Sequence, residues 1–319
     1  MRITDRITST NMIQSINRSQ GKLEKYNNQL SSMKEISKPS DDPLRASQIM
    51  NLNNSLIQNE EFSVTIADTT DWTNMQDSAL ENATDSLRRI TTLIQSASTG
   101  TMSDSDRQAI KAEMETEIST LVDSLNTNFG GKYVFSGMNT TTKPFEISRD
   151  DDGQMTGIKY QGTVDGTDAD GNAIPVKADL SRTIATGVDV SLKTDGRQLM
   201  NEQGNPAEKD DLGTFLADAL KALDANDTEA LSGKLLARSN METENVVNMR
   251  TEIGAISNRL KSAQERNTSE NINLKSIRSN KQDVDLAEKY MEFTMEQQAF
   301  QASLAMGTKI LQTHILDYL

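Results

Sequence analysis

The sequence predicts a mostly α-helical chain with an inserted β domain, arranged as a long antiparallel helical rod whose N- and C-terminal helices pair as a coiled coil. Two distributions and one composition lead there. Of 17 glycines, twelve fall between Gly130 and Gly213, and none falls between Lys22 and Thr99. All five prolines are at positions 39, 43, 144, 175 and 206. Two long blocks free of proline therefore flank a turn-rich middle, the pattern of helices, a β insertion and helices again. Only 35% of the 319 residues are apolar and 4% aromatic, with a mean hydropathy of -0.59. That balance suits an elongated, polar, helix-rich molecule better than a compact enzyme.

The ends of the chain carry matching patterns. Met12, Ile16, Ser19, Leu23, Tyr26, Leu30 and Met33 step alternately four and three residues, the period of a coiled-coil seam. Near the other end, Leu286, Tyr290, Phe293, Gln297, Phe300, Leu304, Gly307 and Leu311 repeat that spacing. A second stripe, Ala287, Met291, Met295, Ala302 and Ala305, runs beside it. A helix with so wide an apolar face needs a partner. The expected assembly interface is therefore Leu286, Tyr290, Phe293, Phe300, Leu304 and Leu311 against Met12, Ile16, Leu23, Leu30 and axial neighbours. Gln297 is expected to set register within it. Charge agrees, with seven Lys or Arg against three acids in residues 1–40, and three Lys against six acids in 281–319.

Between these ends the elements follow in order. Residues 1–36 form the first amphipathic segment, and Lys38-Pro39-Ser40-Asp41-Asp42-Pro43 interrupts it. Asp41 or Asp42 can cap the next helix, with Pro43 at its first position, where no N–H is needed. A helical pattern then runs from Leu44 to about Ala97, a span of roughly 80 Å at about 1.5 Å per residue. Thr69-Thr70-Asp71 is its expected weak point, and Trp72 is expected to pack inward. Thr99-Gly100 ends the run, Ser103 or Asp104 caps another helix, and that helix closes near Phe129-Gly130-Gly131. Tyr133-Val134-Phe135 and Ile158-Lys159-Tyr160 read as short strands. Turns are expected at Asp151-Asp152-Gly153, Asp170-Gly171-Asn172 and Asp195-Gly196. Helices return at Phe215 to Leu223, then in a long helix through Val246 and Leu260 that could continue through Ile277 into the terminal segment. The expected domains are 1–43 and 281–319 as the two halves of the terminal coiled coil, 44–131 and 212–280 as the helical rod, and 132–211 as an outer β-rich domain.

Most chemistry is excluded by composition. There is no cysteine, hence no disulfide, thiolate metal site or Cys nucleophile. The one histidine, His314, has no convergent partners for acid–base work or metal ligation. The acidic stretch around Asp165, Asp168 and Asp170 fails as a calcium loop, since Gly166 and Lys177 would occupy positions that require carboxylates. Neither phosphate-binding glycine pattern occurs. The net charge of -14 argues against nucleic-acid or anionic-membrane partners. No stretch is apolar enough to span a bilayer, and Met1-Arg2-Ile3-Thr4-Asp5-Arg6 lacks the core of a cleavable signal peptide. The expectation is a non-enzyme with no cofactor.

Three groups of residues then resemble a known family: Gln29-Leu30-Ser31-Ser32 through Pro39-Ser40-Asp41-Asp42-Pro43, the stretch Arg250-Thr251-Glu252-Ile253-Gly254-Ala255-Ile256-Ser257-Asn258-Arg259, and the paired terminal helices. They resemble the flagellin superfamily over roughly two-thirds of the chain. Met1-Arg2-Ile3-Thr4, Gly131-Lys132-Tyr133-Val134-Phe135-Ser136-Gly137 with Lys143-Pro144-Phe145, and the ending Gln301 through Leu319 resemble its hook–filament junction (FlgL-like) branch more than filament flagellin. Met33-Lys34-Glu35 departs from the family's usual Gly-Lys-Arg. The resemblance implies a structural subunit of the bacterial flagellum that forms a homo-oligomeric ring between the first hook-associated protein and flagellin. It implies export by the flagellar type III apparatus, and termini that order only on assembly. It also implies a FlgN-type export chaperone on the C-terminal helix, for which Met291, Met295, Phe300 and Leu304 are the candidate contacts.

Overall fold

The computed structural model describes the backbone of residues 2–100, 102–151, 153–162, 166–167, 173–174, 179–201 and 211–316, and the side chains of 7–100, 102–151, 153–162, 179–201 and 211–309. The side chains of Leu311 and His314, the Asp170-Gly171-Asn172 turn and the acidic stretch from Asp165 to Asp170 lie outside the described side chains. Contacts divide the chain into two units, Met1–Glu60 with Ser269–Leu319, and Glu61–Thr268.

The first unit holds α1 (Arg2–Ser32), the start of α2 (Pro43–Ala97), the end of α7 (Leu236–Gln282) and α8 (Leu286–Leu316). Asp42 caps α2 as expected, its Oδ1 accepting the N–H groups of Leu44 and Arg45 at 3.0 Å each. Asp41 instead turns back, its Oδ2 accepting from Ser37 and Lys38. Those N–H groups, Lys38 foremost, hold its carboxyl below the usual carboxylate range. Helix α7 does not continue into the terminal segment. Asp283-Val284-Asp285 breaks it, and Asp285 Oδ1 caps α8 by accepting from Ala287 and Glu288. The two breaks meet. Lys34 pairs with Asp283, the Glu35 N–H donates to the Gln282 carbonyl at 2.7 Å, and Val284 N–H donates to the Met33 carbonyl. Arg45 ties the corner by donating to Lys281 O and the Glu35 carboxylate, above a small core of Ile36, Ala46 and Ile49.

The second unit is built on the rest of α2, α3 (Asp104–Leu125), α5 (Leu212–Asp224) and the first part of α7. Helix α2 runs unbroken past Thr69-Thr70-Asp71. The hydroxyls of Thr69 and Thr70 donate to carbonyls four residues back, Thr73 donates to Thr70, and Ile66 and Trp72 are buried. Ser103 caps α3 in a capping box with Asp106. The buried Arg107 guanidinium donates to Ala97 and Thr99 carbonyls, satisfying the end of α2. α3 ends at Leu125, and the residues expected to close it form a hairpin instead, β1 (Asn128–Phe129) with β2 (Lys132–Tyr133).

Among the described residues the expected β region holds four separate antiparallel pairs. The others are β3 (Phe145–Arg149) with β4 (Met155–Tyr160), β5 (Gly166–Thr167) with β6 (Ala173–Ile174), and β7 (Ser181–Ala185) with β8 (Val188–Ser191). Helices α3 and α5 provide the surface on which β3 and β4 bury Phe145, Met155 and Ile158. Gln76 on α2, fully buried, donates from Nε2 to the carbonyls of Val134 and Lys193, pinning two loops to one helix. Gly213 lets the start of α5 touch β4, since a Cβ there would lie 2.2 Å from the Ile158 carbonyl oxygen. Asp195-Gly196 does not make a hairpin turn. It opens α4 (Arg197–Met200), where the Arg197 guanidinium pairs with the Asp195 carboxylate. A short turn, α6 (Thr228–Ala230), and a π-helical stretch, Leu231–Leu235, lead into α7.

Candidate functional site

The first unit places the two termini together. α1 and α8 run antiparallel from the Lys34–Asp283 bridge, with Lys22 Nζ 3.3 Å from Glu296 Oε2 and Gly307 against Met12. On α1 Met12, Ile16, Ser19, Leu23, Tyr26 and Leu30 are all half-buried, whereas Met33, the last position of the expected seam, is exposed. Its remaining surface is mostly Asn, Gln, Ser, Lys and Glu, although Ile7 and Ile13 are exposed.

On α8 the face turned to α1 is not the expected one. Phe293 and Phe300 are half-buried there, but the stripe's other positions are Lys289 before them, Glu296 between them, and Ser303 and the buried Gly307 after them. Leu286, Tyr290, Gln297 and Leu304, expected in the seam, are exposed, Tyr290 to 62%. The expected stripe and the observed one share Phe293, Phe300 and Gly307, and elsewhere differ by a single residue. On the observed stripe Lys289 meets the Tyr26 ring and Glu296 meets Lys22, contacts that a shift by one residue to Tyr290 and Gln297 does not offer. Gln297 therefore cannot set the register of this pair. A sequence scan for the same spacing one residue earlier would have found 289, 296 and 303, but counting apolar residues passes over them.

Helix α8 is thus inside out. It offers α1 a face of Lys289, Glu292, Glu296, Ser303 and Gly307 with two aromatic residues, and leaves Leu286, Tyr290, Met291, Met295, Leu304 and Met306 exposed. Met291 and Met295, candidate chaperone contacts, are on this open side at 58% and 62% exposure. Leu304, also exposed, is one turn from the half-buried Phe300 and on the opposite flank of the helix from Met295, so the four candidates do not form one patch.

The second unit has a cleft of about 310 Å³ whose floor is Trp72, Phe129 and Leu192, with Asp68, Lys132 and Arg182 at its rim. Trp72 and Phe129 meet edge to face at 6.1 Å. The Thr69 hydroxyl there donates to its own helix, at Thr65 O, and does not face a base. No helix among the described residues is long and apolar enough to cross a membrane.

The profile of the bacterial flagellin N-terminal helical region matches residues 3–140, and that of the C-terminal helical region matches 239–319. The chain belongs to the flagellin family. Flagellar hook-associated protein 3 of Escherichia coli (strain K12) is 26% identical to this flagellin-family chain over 315 residues, 95% of each. The protein of that name from Salmonella typhimurium (strain LT2) is 26% identical over 316 residues, again 95% of each. The crystal structure of Bacillus cereus FlgL superposes with a TM-score of 0.54 at 22% identity, covering 72% of this chain and 99% of that one. The two matched flagellin regions contain α1 and α8, so the inside-out pair belongs to the part shared with the family.

Proposed function

We propose that this flagellin-family chain is a structural subunit of the bacterial flagellum that forms the junction ring between the hook-associated zone and the filament, and on which filament assembly is templated. One observation carries the reading: the helix at the C-terminal end of the family's shared region turns its apolar side outward. Each Leu, Met or Tyr buried there would contribute about 1.5–3 kcal/mol, so a few of them decide whether copies associate. The full-length similarity to hook-associated protein 3 supports the junction over the filament. On this reading residues 1–43 and 281–319 are the assembling part, 44–131 and 212–280 the rod, and 132–211 the outer domain. Its neighbours are further copies of itself, the first hook-associated protein and flagellin, and its place is outside the cell, reached by type III export. Before export, a FlgN-type chaperone would cover this helix, with Met291 and Met295 on one flank and Leu304 beside Phe300 on the other as its candidate contacts. The role is structural rather than enzymatic.

Filament flagellin is the alternative, and growth separates the two. Pure protein added to hook-derived seeds should saturate as a short collar, seen by electron microscopy. Indefinite elongation would transfer the chain to the filament, and failure to add to any seed would remove the assembly reading.

A further inference from the structure

We propose that Lys289 fixes the register in which α8 pairs with α1, with the Lys22–Glu296 pair and the notch at Gly307 as its accessories. The corner at Lys34 and Asp283 holds the base of the pair, but along the rest of its length apolar contacts that recur every seven residues would by themselves tolerate a slip of one heptad, about 10 Å. Phe293 and Phe300, themselves seven residues apart, do little to forbid it, because each can take the other's place.

Polar contacts break that degeneracy. The Lys289 side chain is only 14% exposed, with Nζ 2.6 Å from Glu292 and 5.4 Å from the centre of the Tyr26 ring. Burial works against its charged form, but the hydrogen bond to Glu292 and the charges of Glu292 and Glu35 outweigh it, and its pKa is raised. A slip of one heptad would place Lys289 opposite Ser19 or Met33 in place of Tyr26, so the cation would lose its ring in either direction. Glu296 would face Ser15 or Gln29 in place of Lys22. Met12, which now occupies the space above Gly307, would meet Phe300 in one direction. A half-buried charge at a seam position that selects one alignment at a cost in stability is a known use of polar seam residues. Register matters to the ring only if the assembly reading above is right, because the outward apolar stripe of α8 must line up with its neighbours. The alignment itself is a property of the single chain.

The absence of cysteine makes the test direct. Spin labels on cysteines at the exposed positions Asn28 and Gln301 are separated along the axis by roughly 16 Å, given the Lys22–Glu296 contact. The parent full-length chain should give one narrow distance. Lys289→Leu should add a second population displaced by about 10 Å, with no loss of helix content, and Lys289→Arg should restore the single peak. Tyr26→Leu should act like Lys289→Leu. A single unchanged distance in Lys289→Leu and Tyr26→Leu would overturn the proposal, as would a parent that already populates several registers. Collar formation is scored in parallel: its failure in the parent removes the assembly reading, whereas the distance distributions alone decide the role of Lys289.

Discussion

Met33 has a φ of +57°, in the region where a side chain costs an L-residue about 1–2 kcal/mol. It ends α1 as a left-handed cap, the place glycine usually takes, and the glycine the family resemblance leads one to expect falls at this position. Its side chain is exposed, so little packing would be lost by removing it. Met33→Gly should therefore stabilise the first unit by about 1 kcal/mol in a thermal melt. At Trp72 the expected inward packing is observed at 5% exposure, yet Nε1 has no hydrogen-bond partner. Relief of a buried unsatisfied donor offsets lost contact area, so Trp72→Phe should leave stability within about 1 kcal/mol of the parent, whereas Trp72→Ala should cost about 3–5 kcal/mol. Caps such as Asp42 and Ser103 were legible in the sequence because their chemistry is local. The unpaired indole was not, since it depends on which carbonyls happen to surround it.

Helix α2 owes its start to two adjacent residues, Asp42 and Pro43, and Asp42→Ala should cost about 1 kcal/mol, seen as fraying at Leu44 and Arg45 by hydrogen exchange. Helix α8 depends on a small residue. Gly307→Ala places its Cβ 3.4 Å from Met12 Cε, an ordinary contact, and removes a helix-weakening glycine, so it should raise the melting point of the pair. Gly307→Leu has no room and should separate α1 from α8, read as lost protection at Met12 and Ile16. Gln297→Leu enlarges the exposed apolar side of α8 and should promote association of copies while leaving the pair's register unchanged. The long helices were legible from period and breakers. The β region was legible only as turn-rich: that its strands form separate pairs on helices, and that Asp195-Gly196 opens a helix, depend on contacts such as Gln76 with two distant loops.

For the whole chain, the separateness of the two units makes a prediction. The second unit carries its own extended core, including Leu80, Leu87, Ile118, Phe215, Leu220 and Ile253. Deleting 284–319 should leave that core folded and the protein soluble, with α1 unprotected and no collar formed. Loss of the second unit's cooperative melt on this deletion would show that the division into units is wrong. Normal assembly by the truncated chain would remove α8 from the assembly mechanism.

Apart from the break at Asp283-Val284-Asp285, the end of α3 at Leu125 and the start of α4, the sequence by itself determined where helices start and stop, that the middle is turn-rich, and that both termini are amphipathic. These follow from short-range rules of capping, breaking and period. Only the tertiary structure decided which stripe of α8 meets α1, because the candidate stripes share Phe293, Phe300 and Gly307 and lie side by side on one helix. The hydrophobic effect rewards burying Leu286, Tyr290 and Leu304 against any surface, and a one-dimensional pattern carries no sign of whether that surface is the chain's own first helix or another molecule. The contacts that belong to the stripe actually turned to α1 are the Tyr26 ring beside Lys289 and Lys22 beside Glu296.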